Sequence, residues 1–195
     1  DYGAGNIFSV KNALDYLGVE NKLTADRNEI CAADEIILPG VGAFPWAMKM
    51  LRDSGLVDTI REEAKKKPFL GICLGMQLIF DKGYEFEETD GLRLIGGKVE
   101  KIDRKDMIIP HMGWNELEIN RDCPILKGLP EHPYVYFVHS YAAVCDDANV
   151  SAYCDYGGKI TALVHDGAYV YGAQFHPEKS GEVGLQMLRN FAELA

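Results

Sequence analysis

The sequence predicts an α/β fold: an open, mostly parallel central sheet with added antiparallel strands and flanking helices. Three observations carry that prediction. Helix and strand signals alternate through the first half, as they do where helices cross over a parallel sheet. From about Gly96 the chain turns rich in β-branched and aromatic residues set between turn residues, which suits antiparallel strands. Finally, "KPFLGICLGMQLIF" (67–80) sets Cys73 between two glycines, where an apolar run passes into an amphipathic one. A buried thiol needs no glycine on either side, whereas a thiol held out on a sharp turn does.

The elements follow in order. "DYGAGN" is a Gly-x-Gly turn opening a helix. Such a turn usually follows a strand, so a short leading strand is expected ahead of it, truncated from this chain. "NIFSVKNALDYLG" spaces Ile7, Val10, Leu14 and Leu17 at helical intervals and stops at Gly18. "DEIILPG" is a short apolar run ended by Pro-Gly, the mark of a buried strand. "WAMKMLRDSG" and "LVDTIREEAKKKP" read as helices, the second with acids early and lysines late, as the helix dipole favours. "FLGIC" is a second buried strand and "LGMQLIF" begins a helix. Then "GGKVEKI", "MIIP", "GWNELEI", "YVYFVHSYAAV", "VSAYCDY", "KITALVHD" and "AYVYGAQFHP" read as strands. "SGEVGLQMLRNFAEL" closes the chain as a helix, with Ser180 as N-cap and Val183, Met187, Leu188, Phe191 and Leu194 as its apolar face.

The 195 residues suffice for one full core, and one domain over 1–195 is expected. The formal charge of −10 argues against a nucleic-acid binder, which would show a basic face, and against an anionic membrane surface. No apolar run approaches the length of a membrane span, and none reads as a signal peptide. The cysteines Cys31, Cys73, Cys123, Cys145 and Cys154 are odd in number and form no CxxC. That spacing speaks against a disulfide framework or a zinc ribbon and for reduced thiols in the cytoplasm.

Gly71-Ile72-Cys73-Leu74-Gly75 has the form of a nucleophile elbow with cysteine as nucleophile. The turn would lift the side chain above the sheet, with the N-terminal end of the next helix favouring thiolate. Taken alone, the motif fits a structural cysteine at a packed strand end equally well. "QFHPEKS" adds His176 and Glu178, which share a face if they extend the last strand. Glu178 would then orient the imidazole and His176 would serve as base and later acid. A metal reading of H-x-E lacks further ligands. "LPGVGAF" ends a strand expected beside the cysteine strand. The amides of Val41 and Leu74 can there face the oxyanion of a tetrahedral intermediate.

These three stretches, in this order and over essentially the whole chain, resemble the class I (triad-type) glutamine amidotransferases. "DYGAGN", "PHMGWN", "YFVHSY" and Lys179-Ser180 resemble one branch of them, the glutaminase subunits of imidazole glycerol phosphate synthase. The resemblance implies Cys73 as nucleophile, His176 as base and acid, and Glu178 as its orienter. It implies that Gly42, Gln77, Ser140 and Tyr141 hold the substrate L-glutamine. It also implies a partner, a (β/α)8-barrel cyclase subunit that takes the ammonia to form imidazole glycerol phosphate and AICAR in histidine biosynthesis. No metal or organic cofactor is implied. Met112 and Trp114 are expected at that interface, with Asn6, His111 and Lys179 as further candidates. Some members carry His where this chain has Ala43, so any role of that His is absent or met elsewhere. Two rivals stand beside this reading. Another cysteine hydrolase of related fold would cleave peptides without turning over glutamine, and a non-catalytic partner-binding subunit would carry an unreactive Cys73.

Overall fold

The apolar run FLGIC lies in the interior of a six-stranded sheet, with all five residues buried. The computed structural model describes residues 1–3 and 7–194. Its elements are α1 (Ile7–Tyr16), α2 (Arg27–Ala32), β1 (Ile36–Gly40), α3 (Phe44–Asp53), α4 (Val57–Glu63), β2 (Phe69–Cys73), α5 (Leu74–Leu78), β3 (Lys82–Gly83), β4 (Thr89–Asp90), β5 (Gly97–Lys101), β6 (His111–Glu116), β7 (Glu118–Ile119), β8 (Tyr134–His139), β9 (Tyr141–Cys145), β10 (Val150–Asp155), β11 (Lys159–His165), β12 (Val170–Ala173) and α6 (Gly181–Ala192).

The central sheet has the order β1-β2-β12-β11-β10-β7. β1, β2 and β12 run parallel, and the rest extend the sheet antiparallel. The parallel part is confined to three strands because β10, β11 and β12 follow one another through short turns, which can join only antiparallel neighbours. Apolar layers cover both faces: Phe69 packs with Phe44, Met48 and Leu51 on one side, while Leu70 and Ile72 pack with Phe137, Phe175 and Phe191 on the other. A strand covered on both faces must read as continuously apolar, as β2 does. Two smaller sheets flank this one, β4-β3-β5-β9 and the ribbon β6-β8. Among the described residues no helix is long and apolar enough to cross a membrane.

Local chemistry sets the helix ends. Gly18 takes φ +72° after α1, and the Val19 amide closes back on the Leu14 carbonyl at 3.0 Å. The Asp26 carboxylate caps α2, accepting from the Asn28 and Glu29 amides at 2.7 and 3.2 Å. With six residues, α2 is too short for periodicity to announce it.

Three expectations change. "MIIP" is a loop, with Ile108 exposed. "GWNELEI" is not one strand: β6 begins ahead of it at His111 and pairs with β8 from His111↔His139 to Glu116↔Tyr134, while Glu118–Ile119 pairs separately with β10 as β7. "YVYFVHSYAAV" makes two strands in two sheets, β8 with β6 and β9 with β5. The break falls at Ser140, whose carbonyl accepts from the Ile102 amide at 2.9 Å. This change of sheet sets Ser140 at the junction, with Tyr141 as the first residue of β9.

Candidate active site

β2 ends at Cys73, whose backbone is forced to φ +53°, ψ −108°. A non-glycine residue in that region is strained, and the strain is held by the close packing around it. A Cβ at Gly75 would lie 1.8 Å from the Leu38 carbonyl oxygen, and one at Gly71 would lie 2.5 Å from that of Gly75. Only glycine fits at either place, so both elbow glycines are needed for α5 to turn back over β1 and β2. The Cys73 thiol is largely buried and lies 3.9 Å from the Val138 carbonyl oxygen. The Gln174 side-chain amide approaches the sulfur at 3.9 Å.

His176 and Glu178 do not continue a strand. β12 stops at Ala173, and His176 precedes a 3-10 turn, Pro177–Lys179. Pro177 lacks an N–H and has a fixed φ, which suits the first position of a turn and ends the strand. The turn still brings the pair together: His176 Nδ1 and Glu178 Oε1 lie 2.7 Å apart, with side chains 3% and 1% exposed. The His176 amide is tied to the Tyr136 carbonyl at 2.9 Å. Burial works against protonating His176, but the Cys73 sulfur and the Glu178 carboxylate outweigh it and push the imidazole up to about 9. Nε2 is buried and makes no hydrogen bond of ordinary geometry, yet the Cys73 sulfur lies near enough to raise the ring. Such looseness is ordinary for a nucleophile and base with no substrate between them.

The Gly40↔Cys73 register brings the Val41–Gly42 turn alongside the elbow. Val41 is 45% exposed, Gly42 takes φ +112°, and Leu74 is the buried first residue of α5. Gln77 is buried, and its amide donates to the Tyr141 carbonyl at 3.0 Å and to Gln174 Oε1 at 3.1 Å. Ser140 and Tyr141 are both half-buried.

The expected interface residues divide. Met112 and Trp114 are exposed on β6, at 60% and 53%, and Lys179 is exposed on the turn beside His176. Asn6 lies outside the described residues. His111 is a correction: it is fully buried, because alternation along β6 sends it inward while Met112 and Trp114 point out. Ser180 is a second correction. Its hydroxyl donates to the His176 carbonyl at 2.6 Å and accepts from the Tyr136 amide at 3.0 Å, and it makes no cap to α6. It braces the His176 turn instead.

Sequence reasoning missed Tyr2, Gln174 and His139. Tyr2 is buried, and burial together with the nearby Cys73 charge pushes its phenol well up. Gln174 stood in the "QFHPEKS" stretch with no assigned role. Tyr2 and His139 likewise stood in "DYGAGN" and "YFVHSY", and no local pattern assigned a role to any of the three.

The fold and the site define a class of protein. The glutamine amidotransferase class-I family model matches residues 1–194, and the chain belongs to that family. It is 50% identical over 192 residues to the imidazole glycerol phosphate synthase subunit HisH of Bacillus cereus strain G9842, covering 98% of this chain and 91% of that one. It is 47% identical over 196 residues to the subunit of the same name from Listeria monocytogenes serotype 4a strain HCC23, covering 100% of this chain and 93% of that one. A crystal structure of a glutamine amidotransferase superposes with a TM-score of 0.76 over 98% of this chain and 94% of that one. At 23% identity, that likeness concerns the fold alone.

Proposed function

We propose that this chain is the glutaminase subunit of an imidazole glycerol phosphate synthase, hydrolysing L-glutamine and handing ammonia to a (β/α)8-barrel cyclase subunit for histidine biosynthesis. The observation that carries the proposal is a strained cysteine beside a buried His176–Glu178 pair, in a chain half identical to named synthase subunits.

In this mechanism the Cys73 sulfur attacks the side-chain carboxamide carbon of glutamine. The oxyanion takes hydrogen bonds from the Val41 and Leu74 amides. His176, protonated and oriented by Glu178, gives its proton to the departing ammonia, leaving a γ-glutamyl thioester. Water then adds, His176 takes its proton, and glutamate leaves as the thiolate re-forms. Gly42, Gln77, Ser140 and Tyr141 hold the glutamine. Exposed Met112, Trp114 and Lys179 face the cyclase. The five unpaired cysteines suit a reducing, cytoplasmic setting.

The Pro39-Gly40-Val41-Gly42 turn offers a means of control. In one peptide orientation the Val41 amide faces the oxyanion, and in the other a carbonyl does. Losing one such donor lowers the rate roughly a hundredfold or more. The isolated chain is therefore expected to bind glutamine but turn it over slowly. Adding the matching cyclase with its nucleotide ligand should raise kcat far more than it lowers KM. A steady-state glutaminase assay with and without that subunit tests both points. Absence of glutamine turnover in the complex would refute the function, and full activity of the isolated chain would refute the control.

A further inference from the structure

A buried hydrogen-bond path runs from the β6–β8 ribbon to the substrate segment, and the mechanism above makes no use of it. Asn115 Oδ1 lies 2.7 Å from His111 Nε2. His111 Nδ1 lies 3.0 Å from His139 Nε2. His139 Nδ1 lies 2.8 Å from the Tyr141 carbonyl oxygen. That oxygen also accepts from Gln77, which binds Gln174, whose amide approaches the Cys73 sulfur. His111 is held between the rings of Phe137 and Tyr156, with centroids 4.7 and 3.9 Å away, so the path is rigid at its middle.

Proton counting fixes its direction. Three contacts, Asn115–His111, His111–His139 and His139–Tyr141, each need one hydrogen. A neutral imidazole carries one ring hydrogen, so the two rings supply two. A third proton on the pair would fill the gap. Burial opposes it: it pushes His111 down and His139 down to about 4, with the charges on His111 and His176 lowering His139 further against the support of the Tyr141 carbonyl. The Asn115 amide resolves the shortage. In one orientation Nδ2 donates to the Asp155 carbonyl at 3.2 Å and Oδ1 meets His111. A half-turn places Nδ2 against His111 Nε2 and moves the mismatch to the Asp155 contact, which is exposed and open to water. All three contacts are then satisfied by hydrogens that point inward. Asn115 donates to His111, His111 to His139, and His139 to Tyr141.

We propose that His139 is a positioning residue for glutamine, its Nδ1–H fixing the Tyr141 carbonyl and through it Gln77, with His111 and Asn115 setting the tautomer that makes Nδ1 the donor. The assignment rests on the glutaminase reading above. His139 touches no reacting atom. It acts by keeping the Ser140–Tyr141 segment and the Gln77 side chain in one geometry.

Two substitutions separate the ring nitrogens. In His139→Asn the side-chain amide nitrogen sits where Nδ1 was, and in His139→Gln it sits near the place of Nε2. KM for glutamine, measured with the cyclase subunit present, should stay within about threefold of the parent in His139→Asn. It should rise about tenfold or more in His139→Gln, the cost of one lost hydrogen bond, with kcat falling less. Equal KM values in the two variants at equal thermal midpoints overturn the proposal. Nitrogen-15 NMR of the imidazoles in the unsubstituted chain reads the same point without activity or a variant that must fold. A proton on His139 Nδ1 alone supports the proposal, and a proton on Nε2 or on both nitrogens overturns it. If the parent complex does not hydrolyse glutamine, the functional reading fails while the tautomer measurement still decides the proton order.

Discussion

Replacing Glu178 by Gln should keep the fold and remove most of the glutaminase rate. The substitution keeps the shape of a side chain that is 1% exposed and still offers an oxygen to His176 Nδ1, which lies 2.7 Å from the present carboxylate. What disappears is the charge. Two consequences follow, and their sizes differ. The imidazole, held up near 9 by Cys73 and Glu178 against its burial, relaxes toward its ordinary 6.5. At pH 8 the protonated fraction would then fall from about 0.9 to about 0.03 if the ring fell to 6.5, a loss of ~30-fold. Cys73 still raises the ring while burial still lowers it, so the loss from protonation is of that order. The second consequence is orientational: without the carboxylate, the amide can present its nitrogen and favour the wrong tautomer. Loss of the orienting acid in a comparable triad costs on the order of 10⁴ in kcat. Orientation should therefore dominate, and pH separates the two. At pH 6 the imidazole is largely protonated in either form, so a deficit that persists there belongs to orientation. The assay is kcat for glutamine with the cyclase subunit present, at pH 6 and pH 8, alongside thermal midpoints to establish folding. A folded Glu178→Gln chain within a few-fold of the parent at both pH values would refute the role of Glu178.

Three further outcomes are expected. A glutamine-shaped electrophile should label Cys73 first, whereas a small general thiol reagent should take exposed Cys31, because burial pushes Cys123 up, Cys145 to about 11 and Cys154 to about 12; peptide mass mapping that finds Cys73 unlabelled by the glutamine-shaped reagent would contradict the assignment. Trp114→Ala should weaken association with the cyclase by roughly 2 kcal/mol if Trp114 is a central anchor, and an unchanged Kd in a titration, with folding intact, would remove it from the interface. Because the folded chain holds a proton on His176 more tightly than the unfolded chain, the stability this contributes is fully present below about 6.5 and is lost as pH rises through about 9. Thermal midpoints should accordingly drop between pH 7 and pH 9.5, and drop less in His176→Asn; parallel curves for the two chains would contradict the shift.

The sequence alone determined whatever rests on neighbours along the chain. The five apolar residues of β2 announce a strand covered on both faces, and Gly18 announces the end of α1. The elbow is legible because its requirement is local: Cys73 needs a strained turn, and Gly71 and Gly75 must let backbone pass where a Cβ would collide. The His176–Glu178 pair is legible too, although a turn beginning at Pro177 joins the two residues where a strand was expected. The tertiary structure alone decided what depends on distant partners. Alternation along β6 marks one of its faces as inward only once β8 is known to pair with it and the rings of Phe137 and Tyr156 close over His111. His139, Gln77 and Gln174 come from β8, α5 and the segment after β12, and nothing in their own surroundings says that they meet. Ser180 looks like a helix cap because the residues after it form a helix, yet the carbonyl of His176 and the amide of Tyr136 take its hydroxyl. A short-range pattern constrains the backbone that carries it. A hydrogen bond between elements is chosen by whichever donor and acceptor the packed fold leaves facing each other, and that choice is made only when the sheets and helices come together.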